Sequence, residues 1–133
     1  VCDFVTVIGD DPEKIGDATI STNSPKSGID AGRPFTFKAE RALEDQRAFL
    51  IFNIRGMMGQ SIKVWLNKEL IGYLIRNMGG DLWETQMIAI SGGHLKDGDN
   101  SLWIEGNRLP AAYQSNYLEF EIKDMFCFFK QRV

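Results

Sequence analysis

The chain has 133 residues, 44% of them apolar and 25% charged. Those proportions fit one globular domain, spanning 1–133, whose core needs no metal or disulfide staple. A net charge of −3 argues against a general nucleic-acid partner, which needs a basic surface to displace counterions, and no run approaches the roughly 18 apolar residues of a membrane-spanning helix.

Along the chain apolar residues recur with a period of two rather than 3.6, the pattern of strands. Residues 3–9 form an opening strand. Residues 10–34 are rich in Gly, Asp, Ser and Pro and read as a long ordered loop or a short extra hairpin. Phe35 and Phe37 share one face of a strand over 34–39, and 40–46 is too short for an independent helix. In 47–54, Ala48, Leu50, Phe52 and Ile54 face one way while Phe49 and Ile51 face the other. A strand apolar on both faces is expected at the centre of a sheet, covered on both sides.

After a turn at 56–60 come a strand over 61–66, a tight turn at Asn67–Glu69 and a return strand over 70–74. Asn suits that turn because it tolerates positive φ. The loop 75–82 leads to a strand over 83–90, where Gln86, Ile88 and Ile90 alternate with Met87 and Ala89. In the Gly/Asp-rich loop 91–100, Leu95 can pin the chain to the core while Asn100 hydrogen-bonds loop backbone and starts the next strand. That strand covers 101–106, the loop 107–116 follows, and 117–122 and 125–129 read as two closing strands. Eight or nine short strands separated by turns predict an all-β, antiparallel sandwich. Cys2 and Cys127 lie near opposite ends of the chain. The first and last strands of a sandwich can be neighbours, so a disulfide and two buried thiols are both open readings; neither residue has C-x-x-C spacing.

Two stretches taken together resemble a known superfamily. IKVWLNKELIGYL (62–74) is similar to the V-x-V-N-G…G strand–turn–strand of galactose-binding-domain-like jelly rolls. These include many carbohydrate-binding modules and the sugar-binding domains of glycoside hydrolases. GGHLKDGDNSLWIEG (92–106) is similar to the superfamily's L-x-x-G-x-N-x-L-x-I segment, carried here by Leu95, Gly98, Asn100, Leu102 and Ile104. RAFLIFNIRGM suits the strand that precedes the first motif. The resemblance spans roughly 48–122, and its motifs report architecture rather than ligand. One departure is Lys68, which stands where the family has Gly. The calcium-ligand pattern of some members is not placeable here, so no cofactor is expected beyond an unassigned structural calcium.

The resemblance implies a jelly-roll β-sandwich in which 35–39, 125–129, 61–66 and 101–106 share one sheet and 47–54, 117–122, 70–74 and 84–90 the other. Strands 61–66 and 101–106 then pair. Trp65 and Trp103 lie opposite in parity to Ile62, Val64, Leu66, Leu102 and Ile104, so both project from the outer face. They form an aromatic platform for a sugar, an interface with a partner, or a face covered by the chain itself. The same wiring gathers loops that carry Arg76, Asn77, Asp81, Trp83, Asn107, Arg108, Tyr113 and Gln114. An aromatic beside amides and charges suits sugar recognition, because rings stack and hydroxyls need planar donors and acceptors.

Catalytic signatures are missing. The single histidine, His94, sits in a Gly-rich turn, and there is no G-x-S-x-G, H-E-x-x-H, P-loop or G-x-G-x-x-G. The stretch DGDN (97–100) lacks the ligand ladder of a calcium loop. The expected role is a non-catalytic carbohydrate-binding, lectin-like module. The rival is a structural domain that uses the tryptophan face for homo-oligomer or protein contact.

Overall fold

A computed structural model describes residues 1–15, 34–56, 62–75, 81–104, 107–108, 117–118 and 120–133, with the backbone alone at 14, 107–108 and 117–118. The elements are β1 (Cys2–Ile8), β2 (Glu13–Ile15), β3 (Phe35–Ala39), β4 (Ala48–Arg55), β5 (Ile62–Leu66), β6 (Glu69–Leu74), β7 (Glu84–Ile90), β8 (Gly98–Ile104), β9 (Asn107–Arg108), β10 (Tyr117–Leu118) and β11 (Phe120–Lys130). All pairings are antiparallel. One sheet runs β1-β11-β4-β7, with β2 also paired to β11; the other runs β3-β8-β5-β6, and β9 pairs with β10 alone. The chain changes sheet between β2 and β3, β3 and β4, β4 and β5, β6 and β7, and β7 and β8. That is the crossing connectivity of a sandwich rather than a meander.

The inward teeth of both sheets meet in one core. Leu50, Phe52, Ile54, Ile90 and Ile122 come from the first sheet; Val64, Leu66, Leu74, Leu102 and Ile104 come from the second; all are fully buried. The sheets approach closely at Gly72, where an added Cβ would lie 2.9 Å from the Ile88 side chain. Gln86 points inward as well, and it is satisfied by strand-like pairing with Ile75. Its Nε2 donates to Ile75 O at 2.8 Å and its Oε1 accepts from Ile75 N at 3.1 Å.

Two features of the wiring differ from the expected one. Residues 125–129 are not a strand of the Trp65 sheet: they continue β11 in the opposite sheet, and β6 takes the place beside β5. Between Lys123 and Phe126, β11 has one residue more than its partner span Asn53–Ile51. Asp124, at φ 50°, takes up the extra residue as a β-bulge, while its N–H donates to Gly9 O at 2.8 Å. Short polar side chains tolerate this conformation better than most. The periodicity break at this point marks a bulge, not a turn. Within 10–34, residues 13–15 form β2, with Ile15 fully buried, and 16–33 lie outside the described residues.

The motif loops fold as their residues dictate. Asn67 (φ 51°) and Lys68 (φ 69°) both occupy the left-handed region, as a two-residue type I′ hairpin requires, so the non-glycine at 68 is accommodated. Asn100 is 2% exposed. Its Nδ2 donates to Lys96 O and Gly98 O, and its Oδ1 accepts from Lys96 N and Asn67 Nδ2, all at 2.8–2.9 Å. Asn67 Oδ1 accepts in turn from Ser101 N at 2.9 Å, so two asparagines join the hairpin to the Leu95 loop. Asn100→Ala orphans several of these buried groups and is expected to cost about 3 kcal/mol of unfolding free energy in a denaturant titration.

β1 and β11 are neighbours, but the register sets Cys2 against Lys130 and Cys127 against Val5, and both thiols are free. Only Cys127 is buried, and burial pushes its thiol from 9.0 up to about 12. The folded state therefore holds a proton that the unfolded chain releases above 9. Stability from this group is intact below pH ~9 and falls as pH rises toward 12. In the native state an alkylating reagent is expected to label Cys2 alone, with Cys127 reacting only on unfolding, and Cys127→Ala should remove this thiol's share of the alkaline slope.

Candidate functional site

The tryptophan pair is in place but is not an open platform. Trp65 and Trp103 are direct cross-strand partners in β5 and β8, and their parity is outward as expected. Trp103 is nevertheless only 8% exposed. Trp65 is half-buried, and its Nε1 is enclosed with no acceptor among the described residues.

The exposed aromatic surface lies on the other sheet. β4 occupies the centre of that sheet, as its two apolar faces predict, but only one face is covered: Phe49 is 41% exposed, Phe4 56% and Met87 63%. The register lays this outer face out in rows across the strands. Phe4, Phe128, Phe49 and Ala89 are successive cross-strand partners. Ring centroids lie 5.7 Å apart for Phe4–Phe128 and 6.2 Å for Phe128–Phe49, each pair tilted by about a third of a right angle (34° and 36°). The next row is Thr6, Phe126, Ile51 and Met87, with Phe126 meeting Phe4 edge-on at 6.0 Å. Rows follow one another at about 7 Å, two residues of strand rise.

Polar rows bound the apolar ones. Beyond Ile51 come Lys123, Asn53 and Thr85. Thr85 Oγ1 donates to Asn53 Oδ1 at 2.7 Å, and Asn53 Nδ2 donates to Asp124 Oδ2 at 3.4 Å. Further on, Arg55 Nε donates to Glu121 Oε1 at 3.1 Å. The Arg55 guanidinium and the Lys123 ammonium lie 4.5 and 4.3 Å from the Trp83 ring centroid. Trp83 thus joins this face instead of standing free at a loop rim, and its ring is already engaged by cations. At the opposite end, Cys2 pairs with Lys130, and Arg47 lies two residues before Phe49 on the same side of β4.

Of the other expected site residues, Asp81 is exposed in the turn before β7. Asn107 and Arg108 form β9, paired with Leu118 and Tyr117. Arg76, Asn77, Tyr113 and Gln114 lie outside the described residues. The Gln86–Ile75 pairing fixes where the chain leaves β6 toward Arg76. His94 Nδ1 rests against the Glu69 carboxylate. Asp97 accepts from Arg41 N at 2.7 Å and from Arg132 Nη2 at 2.5 Å, so the first carboxylate of DGDN is committed to structure. Among the described residues no group of three His, Cys, Asp or Glu side chains is placed to hold a metal ion.

Residue order alone does not mark Phe4, Phe49, Phe126, Phe128 and Met87 as one exposed surface. The available signal was that three paired strands (3–9, 47–54 and 125–129) all carry apolar residues on both parities. One covered face cannot account for all of them.

No family model matches the chain, and no curated protein does. Solved structures similar in shape include the catalytic unit of a thermostable GH87 α-1,3-glucanase from Streptomyces thermodiastaticus, at 14% identity and a TM-score of 0.41, covering 99% of this chain and 26% of that one. Another is the CBM22-1–GH10 portion of xylanase 10B from Clostridium thermocellum, complexed with xylohexaose, at 9% identity and a TM-score of 0.32, covering 98% and 26%. The chain spans about a quarter of each.

The two aromatic faces are expected to separate by mutation. Trp103→Ala empties a buried site and should cost about 3–5 kcal/mol. Phe4→Thr, on the open face, should change the unfolding free energy by less than about 1 kcal/mol. Urea titrations of both variants check this.

Proposed function

We propose that this chain is a non-catalytic glycan-binding module of the galactose-binding-like, jelly-roll kind, and that it binds through the outer face of the β1-β11-β4-β7 sheet. The observation that carries the reading is the row Phe4–Phe128–Phe49, exposed at Phe4 and Phe49 and half-buried at Phe128, with hydrogen-bonding side chains on either side along the strands. A sugar ring presents an apolar face of C–H groups and a rim of hydroxyls. Its binding surface needs flat apolar area with hydrogen-bond donors and acceptors within about one ring's reach. The Phe row supplies the first. Arg47 and Lys130 at one end supply the second, and Asn53, Thr85 and Arg55 at the other add to it only by exchanging the partners they already hold. Arg55 lies eight residue steps along the strand from Arg47, a length of about 27 Å, so a glycan of several residues fits along the strands.

A second reading rests on Met87, which is 63% exposed beside Ile51 and Phe126. A polarizable, adaptable side chain in an apolar patch also suits protein contact, here a homo-oligomer or partner interface.

One pair of measurements decides between them. In a glycan-array screen followed by calorimetry on the best binder, Phe49→Ala and Phe4→Ala are expected to weaken binding at least about tenfold each, the scale of an aromatic contact, with the circular dichroism spectrum unchanged. Sedimentation velocity should show a monomer. Absence of any glycan signal, together with an oligomer that Met87→Lys dissociates, would replace the glycan reading with the assembly one.

A further inference from the structure

We infer that the Arg47/Lys130 end of the aromatic face holds an anionic sugar ring, so that the module selects acidic glycans over neutral ones. This deepens the glycan-binding reading above and rests on it. Three observations converge. First, a cleft of about 160 Å³ opens there, lined by Cys2, Arg47, Phe49, Phe128, Phe129 and Lys130. It lies below the 300–1,000 Å³ typical of pockets for drug-sized ligands and suits a single ring unit. Second, its apolar floor is the end of the Phe row, where Phe128 and Phe49 lie with centroids 6.2 Å apart. Third, its charge is of one sign. Two cations line the cleft with no carboxylate beside them, and among the described residues neither Arg47 nor Lys130 has an acidic partner.

The contrast within the sheet strengthens the point. At the other end of the same face the cations are occupied: Arg55 pairs with Glu121 at 3.1 Å, and Arg55 and Lys123 both lie over Trp83. In a chain of net charge −3, two cations kept clear of acids beside an open aromatic floor are complementary to a ligand with a flat apolar body and a negative group. A hexuronate or a sulfated hexose has both. Its ring stacks on Phe49 and Phe128 while its carboxylate or sulfate accepts charge-assisted hydrogen bonds from Arg47 and Lys130.

Two matched ligand pairs test this by calorimetry: an oligogalacturonate against its methyl ester, and a carrageenan oligosaccharide against its desulfated form. At least one anionic member is expected to bind about tenfold more tightly than its neutral counterpart, the scale of one charge-assisted hydrogen bond. Which pair shows the preference tells carboxylate from sulfate. In Arg47→Gln and Lys130→Gln, both at exposed positions, binding of the anionic member should weaken about tenfold more than binding of the neutral member, so that the preference vanishes. It should also shrink as salt rises, because exposed charges are screened. Equal affinity for the charged and neutral members, or a preference that survives both substitutions, overturns this inference and leaves glycan binding standing. Failure of all four ligands to bind overturns the glycan-binding reading itself.

Discussion

β11 runs for eleven residues because it absorbs one residue too many between Lys123 and Phe126. The bulge at Asp124 shifts the pleat by one. Upstream of it Phe120 and Ile122 face the core; downstream Met125, Cys127 and Phe129 do. A strand with strict alternation would carry even-numbered residues inward throughout. Phe126 and Phe128 would then be buried, and Met125 and Cys127 would face water, since a one-residue slip exchanges the faces of everything beyond it. The aromatic rows and the cleft at their end both depend on this extra residue. The bulge is held from two sides, by Asp124 N–H donating to Gly9 O and by the Asp124 carboxylate accepting from Asn53.

Much of the architecture was readable from residue order because period-two alternation records which side of a strand is buried. The inward sets of 35–39, 47–54, 61–66 and 84–90 are all in the core, and the β5–β6 hairpin and the Asn100 loop follow from local chemistry that a sequence displays directly. Pairing across the sandwich is a different kind of information. Strands 61–66 and 101–106 do pair as expected, as β5 and β8, but the placement of 125–129 could not be read because a bulge and a turn break the pattern alike. Both put a polar residue out of phase, and the hydrogen bond from Asp124 N to Gly9 O that distinguishes them joins residues over a hundred positions apart.

The candidate site was less legible, for a related reason. Trp65 and Trp103 drew notice because a single large aromatic stands out on a polar parity. The phenylalanines of β1, β4 and β11 did not, because an apolar residue among apolar residues looks like core. Burial is decided by what lies over a face, which parity does not encode. Hence the isolated Trp103 is nearly covered, while Phe49, in a strand apolar on both faces, is in contact with water. Trp83 was noticed as a potential stacking surface, yet its ring already holds two cations, each such contact being worth about 0.5–1 kcal/mol at exposed sites. A ligand stacking there would first have to displace them.

That competition gives the face a direction. At the Trp83 end every polar group near the aromatic ring is committed, to Glu121, to Asp124, to Thr85 or to the ring itself, so a ligand gains contacts there only by breaking others. At the Arg47 end the aromatic rings touch one another and, among the described residues, the cations touch no acid, so contacts made by a ligand there displace none of these. Exposed apolar area of this kind is unfavourable in the isolated chain, and Phe4, Phe49 and Met87 bring little to the core they face away from. On the proposed reading a ligand would offset that cost, and it would disrupt least by entering from the Arg47 end.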